Sequence, residues 1–390
     1  MLAVLLPVVL VAGIWLGGHP QNLPGFARDA FVGDSEGRLY DEALDMIADN
    51  YYRKVDKDKL VDEGLEAGIK SLDDRFSAYF DPEAYKAFEQ ATDGAFEGVG
   101  MNVAEVERGL KVLTVFDDSP AQRGGIRTGD VITAVDGRSL AGKTSEQATT
   151  LIKGPAGTEV TLSVVSGKAD ARDVRLKRAR VDVPAVEAEM EESGGRKIAH
   201  VRLAGFTSGA HGEVRKAVDD LLGKGAQGVV LDLRNNGGGL LNEAVLISSI
   251  FIDDGTIVST DGRTRPKRVF EAAGDAIDHK IPVVVLVNRE SASASEIVTG
   301  ALQDRDRAEV VGTRTFGKGV FQEVRQLSNG GALDITVGEY FTPSGRNLGG
   351  GGVKQGAGIE PDVKAEDDVK TKKRDEALDV AVETVAHEGT

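Results

Sequence analysis

The sequence has no cysteine among its 390 residues and only five histidines. The absence of cysteine excludes disulfide bonds, thiol nucleophiles and cysteine-ligated zinc. No pair of histidines has the H-x-x-x-H spacing that places two ligands on one face of a helix. We therefore expect neither a metal ion nor a cofactor in the chemistry of this protein.

Positive charge is scarce relative to negative charge. The chain has 47 Lys and Arg residues against 63 Asp and Glu residues, which gives a net charge of −16 at pH 7. A chain this acidic is repelled by phosphate, so we expect no nucleic-acid partner and a low affinity for anionic membrane surfaces.

Long apolar runs are nearly absent, and the exception is residues 1–18, which carry no charged side chain. The run is borderline in length for a membrane span and long for the apolar part of a signal peptide. Because no clear small-x-small cleavage site follows, we favour an uncleaved signal anchor over a cleaved signal peptide. A buried helix is the remaining alternative, and Pro7 makes it the least suitable of the three.

The rest of the chain divides into segments by pattern. A linker at 19–36 precedes a helical region at 37–95, in which apolar residues recur at helical spacing. Residues 181–365 alternate buried strands with helices, which is typical of an α/β domain. Residues 366–390 are charged, and we expect a peripheral C-terminal helix there.

Residues 96–180 contain two fairly specific motifs, Ser119-Pro120-Ala121 and the glycine-bounded stretch 129–137. With them, the segment resembles a PDZ domain of the bacterial type, a β-sandwich-like fold with helices. In such a domain, backbone N–H groups of a loop hold a terminal carboxylate while the peptide adds as an edge strand. An ordinary turn followed by a strand is the simpler alternative. The resemblance assigns peptide binding to Glu97, Gly98, Val99, Gly100, Met101 and Val103.

A first candidate for chemistry is Ser293, in a serine-rich stretch where a buried strand ends and a helix begins. Free N–H groups and the helix dipole stabilise negative charge at this place, which suits a nucleophile. Ser293 and Glu296 also have the S-x-x-E spacing of a capping box, so Ser293 could serve only as a helix cap.

A second candidate is Lys318, which lies between two glycines at the start of a predicted strand. Close backbone packing there would desolvate the amine and lower its pKa, and a neutral amine can accept a serine proton. Gln322, four residues on, falls on the same strand face and could orient the lysine. A solvated loop lysine is the alternative.

A third candidate is the turn Asn235–Gly239, which follows the buried strand Val229–Leu233. Exposed N–H groups in such a turn form an anion nest, and with the N–H of Ala294 they could bind an oxyanion. The alternative is a flexible turn, with Asp232 and Arg234 only pairing with each other.

Taken together, these segments resemble the carboxyl-terminal processing peptidases, also called tail-specific proteases. The resemblance extends from Tyr40 to Val363 and includes further motifs at Tyr340–Arg346 and Gly358–Asp362. It implies Ser293 as the nucleophile, Lys318 as the base and Gln322 as the orienting residue. The implied oxyanion donors are the backbone N–H groups of Gly239 (or Gly238) and Ala294.

Two departures from the family pattern are visible. Gly237 stands where relatives often carry proline, and the run Gly349–Gly352 is longer than expected. Neither departure touches the serine or the lysine.

We therefore expect a multidomain α/β protein with a helical N-terminal segment, a PDZ domain and a β-spiral protease core. The expected activity is that of a serine endopeptidase that acts on proteins with apolar C-termini. An adaptor protein and a homo-oligomer are expected partners. The expected location is the bacterial cell envelope, periplasmic or extracytoplasmic. The alternatives are an inactive PDZ adaptor, an acyl-CoA enzyme of related core, and a serine protease that uses a histidine as its base.

Overall fold

The structure is a computed structural model that describes residues 35–167, 169–353, 356–367 and 374–388. The predicted signal anchor at 1–18 lies outside the described residues, as does the linker up to residue 34. No helix within the described ranges is long and apolar enough to cross a membrane. The chain divides into two compact units between Asp73 and Asp74.

The first unit contains two helices, α1 (Ser35–Asn50) and α2 (Lys57–Lys70). Asp56 caps α2 by accepting a hydrogen bond from the N–H of Asp58, as expected for an acidic N-cap residue. The first part of the region predicted to be helical, 37–95, thus contains two helices. Its second part differs, because a short strand forms at Ala78–Phe80 before the next helix.

The second unit contains all remaining described elements. Its helices are α3 (Pro82–Thr92), α4 (Pro120–Arg123), α5 (Ser145–Ile152), α6 (Ala210–Gly223), α7 (Leu241–Ser249), α8 (Ala294–Asp304) and α9 (Glu376–Glu388). Its strands are β1 (Ala78–Phe80), β2 (Ala95–Gly98), β3 (Met101–Val106), β4 (Gly109–Val115), β5 (Val131–Val135), β6 (Arg138–Ser139), β7 (Glu159–Val165), β8 (Arg172–Lys177), β9 (Ala179–Asp182), β10 (Val186–Ser193), β11 (Arg196–Leu203), β12 (Val229–Asp232), β13 (Thr256–Gly262), β14 (Arg265–Glu271), β15 (Val283–Val287), β16 (Glu309–Gly312), β17 (Val320–Gln326), β18 (Ala332–Phe341) and β19 (Val363–Lys364).

The segment predicted to be a PDZ domain forms a sheet of strand order β3-β4-β5-β7-β8, with β6 beside β5. Its apolar core includes Leu110, Ile132 and Leu162, all of which are fully buried. Helix α5 begins at the predicted capping box, in which Thr144 and Gln147 cap each other's backbone N–H groups. The sheet has its own core, so this segment is a compact body within the second unit.

A two-stranded ribbon carries the chain into and out of this sheet. Strand β2 pairs antiparallel with β9, with Ala95 opposite Asp182 and Gly98 opposite Ala179. The domain is thus joined to the rest of the second unit by two adjacent backbone strands.

The α/β core is built on a six-stranded sheet of order β10-β11-β12-β15-β16-β19. Its pairs are parallel from β11 onwards. Strands β12 and β15 are buried along their whole length, as expected when both faces of a parallel sheet are covered.

The two faces of this sheet pack against different elements. Val229 and Leu231 belong to the main apolar core with α6, α7 and α8. Val230, between them, packs with Ala381 and Val385 of α9, because alternate strand residues point to opposite faces. The sequence predicted a peripheral C-terminal helix. This prediction was wrong, because α9 covers one face of the central sheet.

The second sheet of the core has the order β1-β18-β13-β14, with β17 also paired to β18. The hairpin predicted at Asn329-Gly330 joins β17 to β18, and the N–H of Leu327 bonds to the carbonyl of Gly331. Strand β17 follows Lys318 directly and carries Gln322.

Candidate active site

The three predicted chemical segments meet because they follow the carboxyl ends of neighbouring parallel strands. The turn at Leu233–Leu240 follows β12, the serine-rich turn at Asn288–Ser293 follows β15, and the loop at Thr313–Lys318 follows β16. In open α/β sheets this edge is the usual place for a site, because the loops converge there.

Of the serines in the stretch Ser291–Ser295, the outer two have structural roles. The Ser291 hydroxyl donates to the carbonyl of Leu233 at 2.7 Å, and the Ser295 hydroxyl donates to the carbonyl of Asn236 at 2.8 Å. Both are fully buried, whereas Ser293 between them is half-buried. These contacts fasten the serine-rich turn to the glycine turn and leave the Ser293 hydroxyl for other use.

Ser293 has a backbone conformation that few residues adopt. Its φ is 57° and its ψ is −113°. Such values cost roughly 1–3 kcal/mol outside glycine and occur at functional sites. Ser293 is also the N-cap residue of α8 and forms the predicted capping box with Glu296. In this box the Ser293 N–H donates to the Glu296 carboxylate at 2.9 Å, and the Ser293 hydroxyl faces the Glu296 N–H without a hydrogen bond of ordinary geometry.

Glu296 joins the serine segment to the lysine segment. One oxygen of its fully buried carboxylate accepts from the Ser293 N–H and from the Lys318 N–H, each at 2.9 Å. The other accepts from the Gly317 N–H at 2.7 Å and from the Thr315 hydroxyl at 2.6 Å. Burial raises the pKa of Glu296, and these hydrogen bonds oppose the rise. One carboxylate therefore fixes the backbones of Ser293 and Lys318 relative to each other.

Lys318 lies in a pocket that is largely desolvated. Gly319 next to it packs against the backbone of Gly349, and a Cβ at Gly319 would lie 2.3 Å from the Gly349 nitrogen. Burial lowers the pKa of Lys318, while the charges of Asp334, Asp74 and Glu296 raise it. The net direction is down, which is the direction that a catalytic base requires.

The Lys318 side chain is held by Gln322. The Lys318 Nζ donates to Gln322 Oε1 at 2.7 Å and lies 4.9 Å from the centre of the Phe76 ring. Gln322 therefore contacts the Lys318 amine directly, and its orienting role stays a prediction. Across the described ranges, no hydrogen bond joins Lys318 to the Ser293 hydroxyl.

The glycine turn approaches the serine closely. A Cβ at Gly238, whose φ is 105°, would lie 2.9 Å from the Ser293 Cβ and 3.0 Å from the Ala294 nitrogen. The N–H of Gly238 itself donates to Asn236 Oδ1 at 2.9 Å. Of the two predicted glycine donors, this bond favours Gly239, with Gly238 keeping the space beside Ala294 free.

Tyr340 is a further buried group next to the serine. Its hydroxyl has no hydrogen-bond partner of ordinary geometry among the described residues. Burial raises its pKa well above the ordinary value, as does the charge of Glu296, and the nearby Ser293 hydroxyl opposes this.

Asp232 and Arg234 pair with each other, which is the predicted alternative to a role in the chemistry. Arg234 also bonds to Asp375 at 2.7 Å, and the His200 Nε2 lies 3.2 Å from Asp232. Burial alone would raise the pKa of Asp232, but His200 and Arg234 lower it to about 2. His200 and His211 each bond to carboxylates, and within the described ranges neither makes a hydrogen bond to Ser293, so neither is placed as its base.

Glu189, Glu191 and His200 bring potential metal-ligand atoms within 4.8 Å of one another. The ring of His200 is already held between two carboxylates. We assign no metal to this group.

The predicted peptide-binding strand is an exposed sheet edge. Strand β3, with Met101 and Val103, pairs with β4 on one side only. The partly buried Met101, Val103 and Leu151 pack on the domain core beside this edge. Glu97, Gly98, Val99 and Gly100 lie at the end of β2 and in the turn before β3. An unpaired edge of this kind is what peptide addition requires, and binding by these residues stays a prediction.

Several residues of the site are not indicated by the sequence. Its patterns point to Glu296 only as a capping partner and do not point to Thr315, Thr336, Asp74 or Phe76. The S-x-x-E spacing was a signal for Glu296. No local pattern pointed to Asp74 or Thr336, because each comes next to Gln322 only when separate strands pair in the folded chain.

Comparisons with known proteins agree with this arrangement. The model of Peptidase family S41 matches residues 197–365, and a PDZ domain model matches residues 111–166. The carboxy-terminal processing protease CtpA of Bacillus subtilis (strain 168) is 35% identical over 340 residues, covering 87% of this chain and 71% of that protein. The carboxy-terminal-processing protease of Bartonella bacilliformis is 37% identical over 340 residues, covering 85% and 76%.

A solved structure of similar fold is that of a photosystem II D1 C-terminal processing protease. It is 30% identical with a TM-score of 0.51, and the match covers 92% of this chain and 98% of that one. A putative S41 protease from Bacteroides fragilis has a TM-score of 0.52 at 17% identity, and so supports the fold alone.

Fold and comparisons thus define a serine protease with a PDZ domain and an α/β core. The chain belongs to the carboxy-terminal processing proteases of Peptidase family S41.

Proposed function

We propose that this protein binds the C-terminal tails of substrate proteins in its PDZ groove and hydrolyses their peptide bonds with a Ser293–Lys318 dyad. The observation that carries the proposal is the position of Ser293. It stands in a capping box at the N-terminus of α8, and its N–H shares one Glu296 oxygen with the N–H of Lys318. Two 2.9 Å bonds to one atom hold the two backbones within about 6 Å of each other.

The reaction is acyl transfer. Neutral Lys318 accepts the Ser293 proton as Oγ attacks the substrate carbonyl carbon. The N–H groups of Gly239 and Ala294 stabilise the oxyanion. The C–N bond then breaks, and Lys318 returns the proton to the leaving amine. Water, deprotonated by Lys318, attacks the acyl-enzyme, which releases the new carboxylic acid and restores Ser293.

The Lys318–Gln322 hydrogen bond is compatible with this scheme. Gln322 Oε1 accepts from the amine and holds it in place. Hydrogen bonds of catalytic groups are often long or unformed without substrate and tighten in the substrate complex.

A groove of about 550 Å³ suggests the path of the substrate chain. It is lined by Phe96 and Glu97 next to the peptide-binding loop, by Phe88 of α3, and by Val324 of β17. Gln322 lies two residues before Val324 on the same strand. In this proposal, a tail that leaves the PDZ groove passes through this cavity on its way to the dyad.

The PDZ domain is proposed to gate the site as well as to tether substrate, since it is joined to the core by the β2–β9 ribbon. Removing Phe96–Arg180 leaves Ala95 and Val181, which lie on adjacent strands and can be rejoined. If an untagged, unfolded substrate is cleaved by the deleted form at the wild-type rate, the gating role is wrong.

The dyad is tested with the fragment from Gly33 to Thr390. Ser293→Ala and Lys318→Ala should each abolish cleavage of an unfolded protein with an apolar C-terminus. Intact-mass analysis of the substrate measures the cleavage. Lys267→Ala, at an exposed lysine of β14, is the matched control and should keep full activity. Full activity of Lys318→Ala would remove the lysine from the mechanism.

The cellular setting is also a proposal. The apolar run at 1–18 supports export to the cell envelope and anchoring there. Fractionation of cells expressing the full chain, with and without residues 1–18, tests this. Recovery of both forms from the cytosol would contradict it. An adaptor and a homo-oligomer stay predictions.

A further inference from the structure

The dyad depends on which way the Gln322 amide faces, because its two ends have opposite hydrogen-bonding character. The oxygen end accepts from Lys318 Nζ, whereas the nitrogen end carries two donors, which would repel the ammonium form of Lys318 and occupy the lone pair of the neutral form. Nothing in Gln322 itself selects one orientation, so a neighbouring group has to do so.

That neighbour is Thr336. It lies directly opposite Gln322 in the β17–β18 pair, at an irregularity in the strand register next to Phe321. The Gln322 Nε2 donates to Thr336 Oγ1 at 3.0 Å. A hydroxyl can also donate, however, so Thr336 fixes the amide only if its own proton is directed elsewhere.

Asp74 is placed to accept this proton. Its half-buried carboxylate is linked to Thr336 through Ser77, whose hydroxyl donates to Asp74 and accepts from the Thr336 N–H. Burial alone would raise the pKa of Asp74, but hydrogen bonding by the Ser77 and Thr336 hydroxyls lowers it. It is therefore ionised at neutral pH and accepts only.

Asp74 is itself held firmly. Its Oδ1 accepts from the Phe76 N–H at 2.9 Å, and its Oδ2 accepts from the Ser77 hydroxyl at 2.6 Å. Ser77 Oγ in turn accepts from the Thr336 N–H at 3.0 Å. The residues Asp74 to Ser77 lie directly before β1, which pairs with β18 beside Thr336.

We propose that Asp74 is a positioning residue of this peptidase, which orients the Gln322 amide through Thr336 so that its oxygen faces Lys318. The inference rests on the proposed function, because it assumes Lys318 as the base. Asp74 does not touch the reacting atoms. It acts by fixing the direction of each hydrogen bond in the chain. Thr336 donates to Asp74, Gln322 Nε2 donates to Thr336, and Lys318 donates to Gln322 Oε1.

The key variant is Asp74→Asn, which keeps the shape but adds a donor. The introduced amide can donate to Thr336, Thr336 can then donate to Gln322 Oε1, and the Gln322 nitrogen would turn towards Lys318. We expect kcat at the optimal pH to fall roughly 10- to 100-fold, as for other misplaced catalytic groups, with KM unchanged.

The second carboxylate near Lys318 provides a matched charge control. Asp334 on β18 and Asp74 both raise the pKa of Lys318, together with Glu296 of α8. Asp334→Asn and Asp74→Asn should therefore both shift the rising limb of the pH–rate profile to lower pH. Only Asp74→Asn should lower the plateau, since no hydrogen bond places Asp334 in the chain to Gln322 within the described ranges.

Thr336 provides a test that leaves Asp74 in place. Thr336→Val removes the hydroxyl and should lower kcat as Asp74→Asn does, whereas Thr336→Ser keeps the hydroxyl and should restore activity to within about threefold of wild type. Loss of the same size in Thr336→Ser would indicate packing and would overturn the proposal. So would a wild-type plateau in Asp74→Asn or Thr336→Val, or an equal plateau loss in Asp334→Asn.

The proposed function is judged by different variants. Activity of Lys318→Ala would end the dyad and this inference together. An inert Lys318→Ala with a fully active Asp74→Asn would reject the role of Asp74 alone.

Discussion

Glu296 accepts four hydrogen bonds with two oxygens, and only a carboxylate can do so at this position. In Glu296→Gln, the amide nitrogen would face buried N–H donors. Each buried donor left unsatisfied costs about 1–3 kcal/mol, so we expect a lower free energy of unfolding by about 2–4 kcal/mol and a loss of peptidase activity.

Urea unfolding and the cleavage assay measure these two effects. Glu290→Gln is the control, because Glu290 is exposed on the same turn. Its variant should match wild type in both assays. A Glu296→Gln protein of wild-type stability and activity would show that Glu296 does not hold the two segments together.

The pH dependence of activity is set by Lys318. The lysine acts as a base only when neutral, and burial lowers its pKa from the ordinary 10.5. Activity should therefore rise with pH through a midpoint below 10.5. The measurement is kcat for a peptide substrate between about pH 5 and pH 10, within the range in which the folded state persists. Activity that falls as the pH rises through this range would contradict a lysine base.

At the scale of secondary-structure elements, the turn after β12 has to lie against the start of α8. Gly238 allows this contact, because a Cβ there would meet the Ala292 carbonyl and the Ser293 Cβ, each at 2.9 Å. Gly238→Ala should push the turn away from Ala294 and lower kcat by about 100-fold, the usual cost of a lost oxyanion donor.

Gly237 is the matched control. A Cβ at Gly237 would meet no atom within 4 Å. The Gly237→Ala variant should therefore keep the wild-type kcat and gain some stability from a stiffer unfolded chain. Circular dichroism and thermal unfolding distinguish a local effect of Gly238→Ala from misfolding. Equal activity of the two alanine variants would remove the glycine turn from the oxyanion site.

At the scale of the whole molecule, α9 is tied to the central sheet by Arg234. This arginine bridges the fully buried Asp232 and Asp375 just before α9. Arg234→Ala would leave Asp232 with His200 and the backbone N–H of residue 234 but without the guanidinium, and we expect a loss of about 3 kcal/mol in the free energy of unfolding. Arg374→Ala removes only an exposed pair with Asp379 and should cost less than about 1 kcal/mol.

The effect of Arg234→Ala should depend on pH. The pKa of Asp232 is lowered to about 2 in the folded protein against an ordinary 3.8. A lowered carboxyl pKa stabilises the folded state above the ordinary value, and this contribution is lost as the pH falls towards about 2. The stability difference between wild type and Arg234→Ala, measured by urea unfolding, should therefore shrink below about pH 4. A constant difference from about pH 7 to pH 3 would argue against the ion pair as its cause.

Local patterns were enough to locate most elements and the three chemical segments. The capping box at Thr144, the hairpin at Asn329-Gly330 and the apolar strands β12 and β15 are local features, and short-range physics determines them. The same holds for the family motifs, which are contiguous. The sequence by itself therefore determined the class of protein, and it nominated Ser293 and Lys318.

Only the tertiary structure decided what surrounds each nominated group. In the folded chain the hydroxyls of Ser291 and Ser295 donate to backbone carbonyls, whereas the Ser293 hydroxyl between them does not. The tertiary structure linked Asp74 to Gln322, more than two hundred residues away in sequence, through Ser77 and Thr336. It also laid α9 on the sheet, although its sequence looked peripheral. These outcomes depend on contacts between distant segments, and no local spacing or propensity encodes which distant partner a side chain will meet.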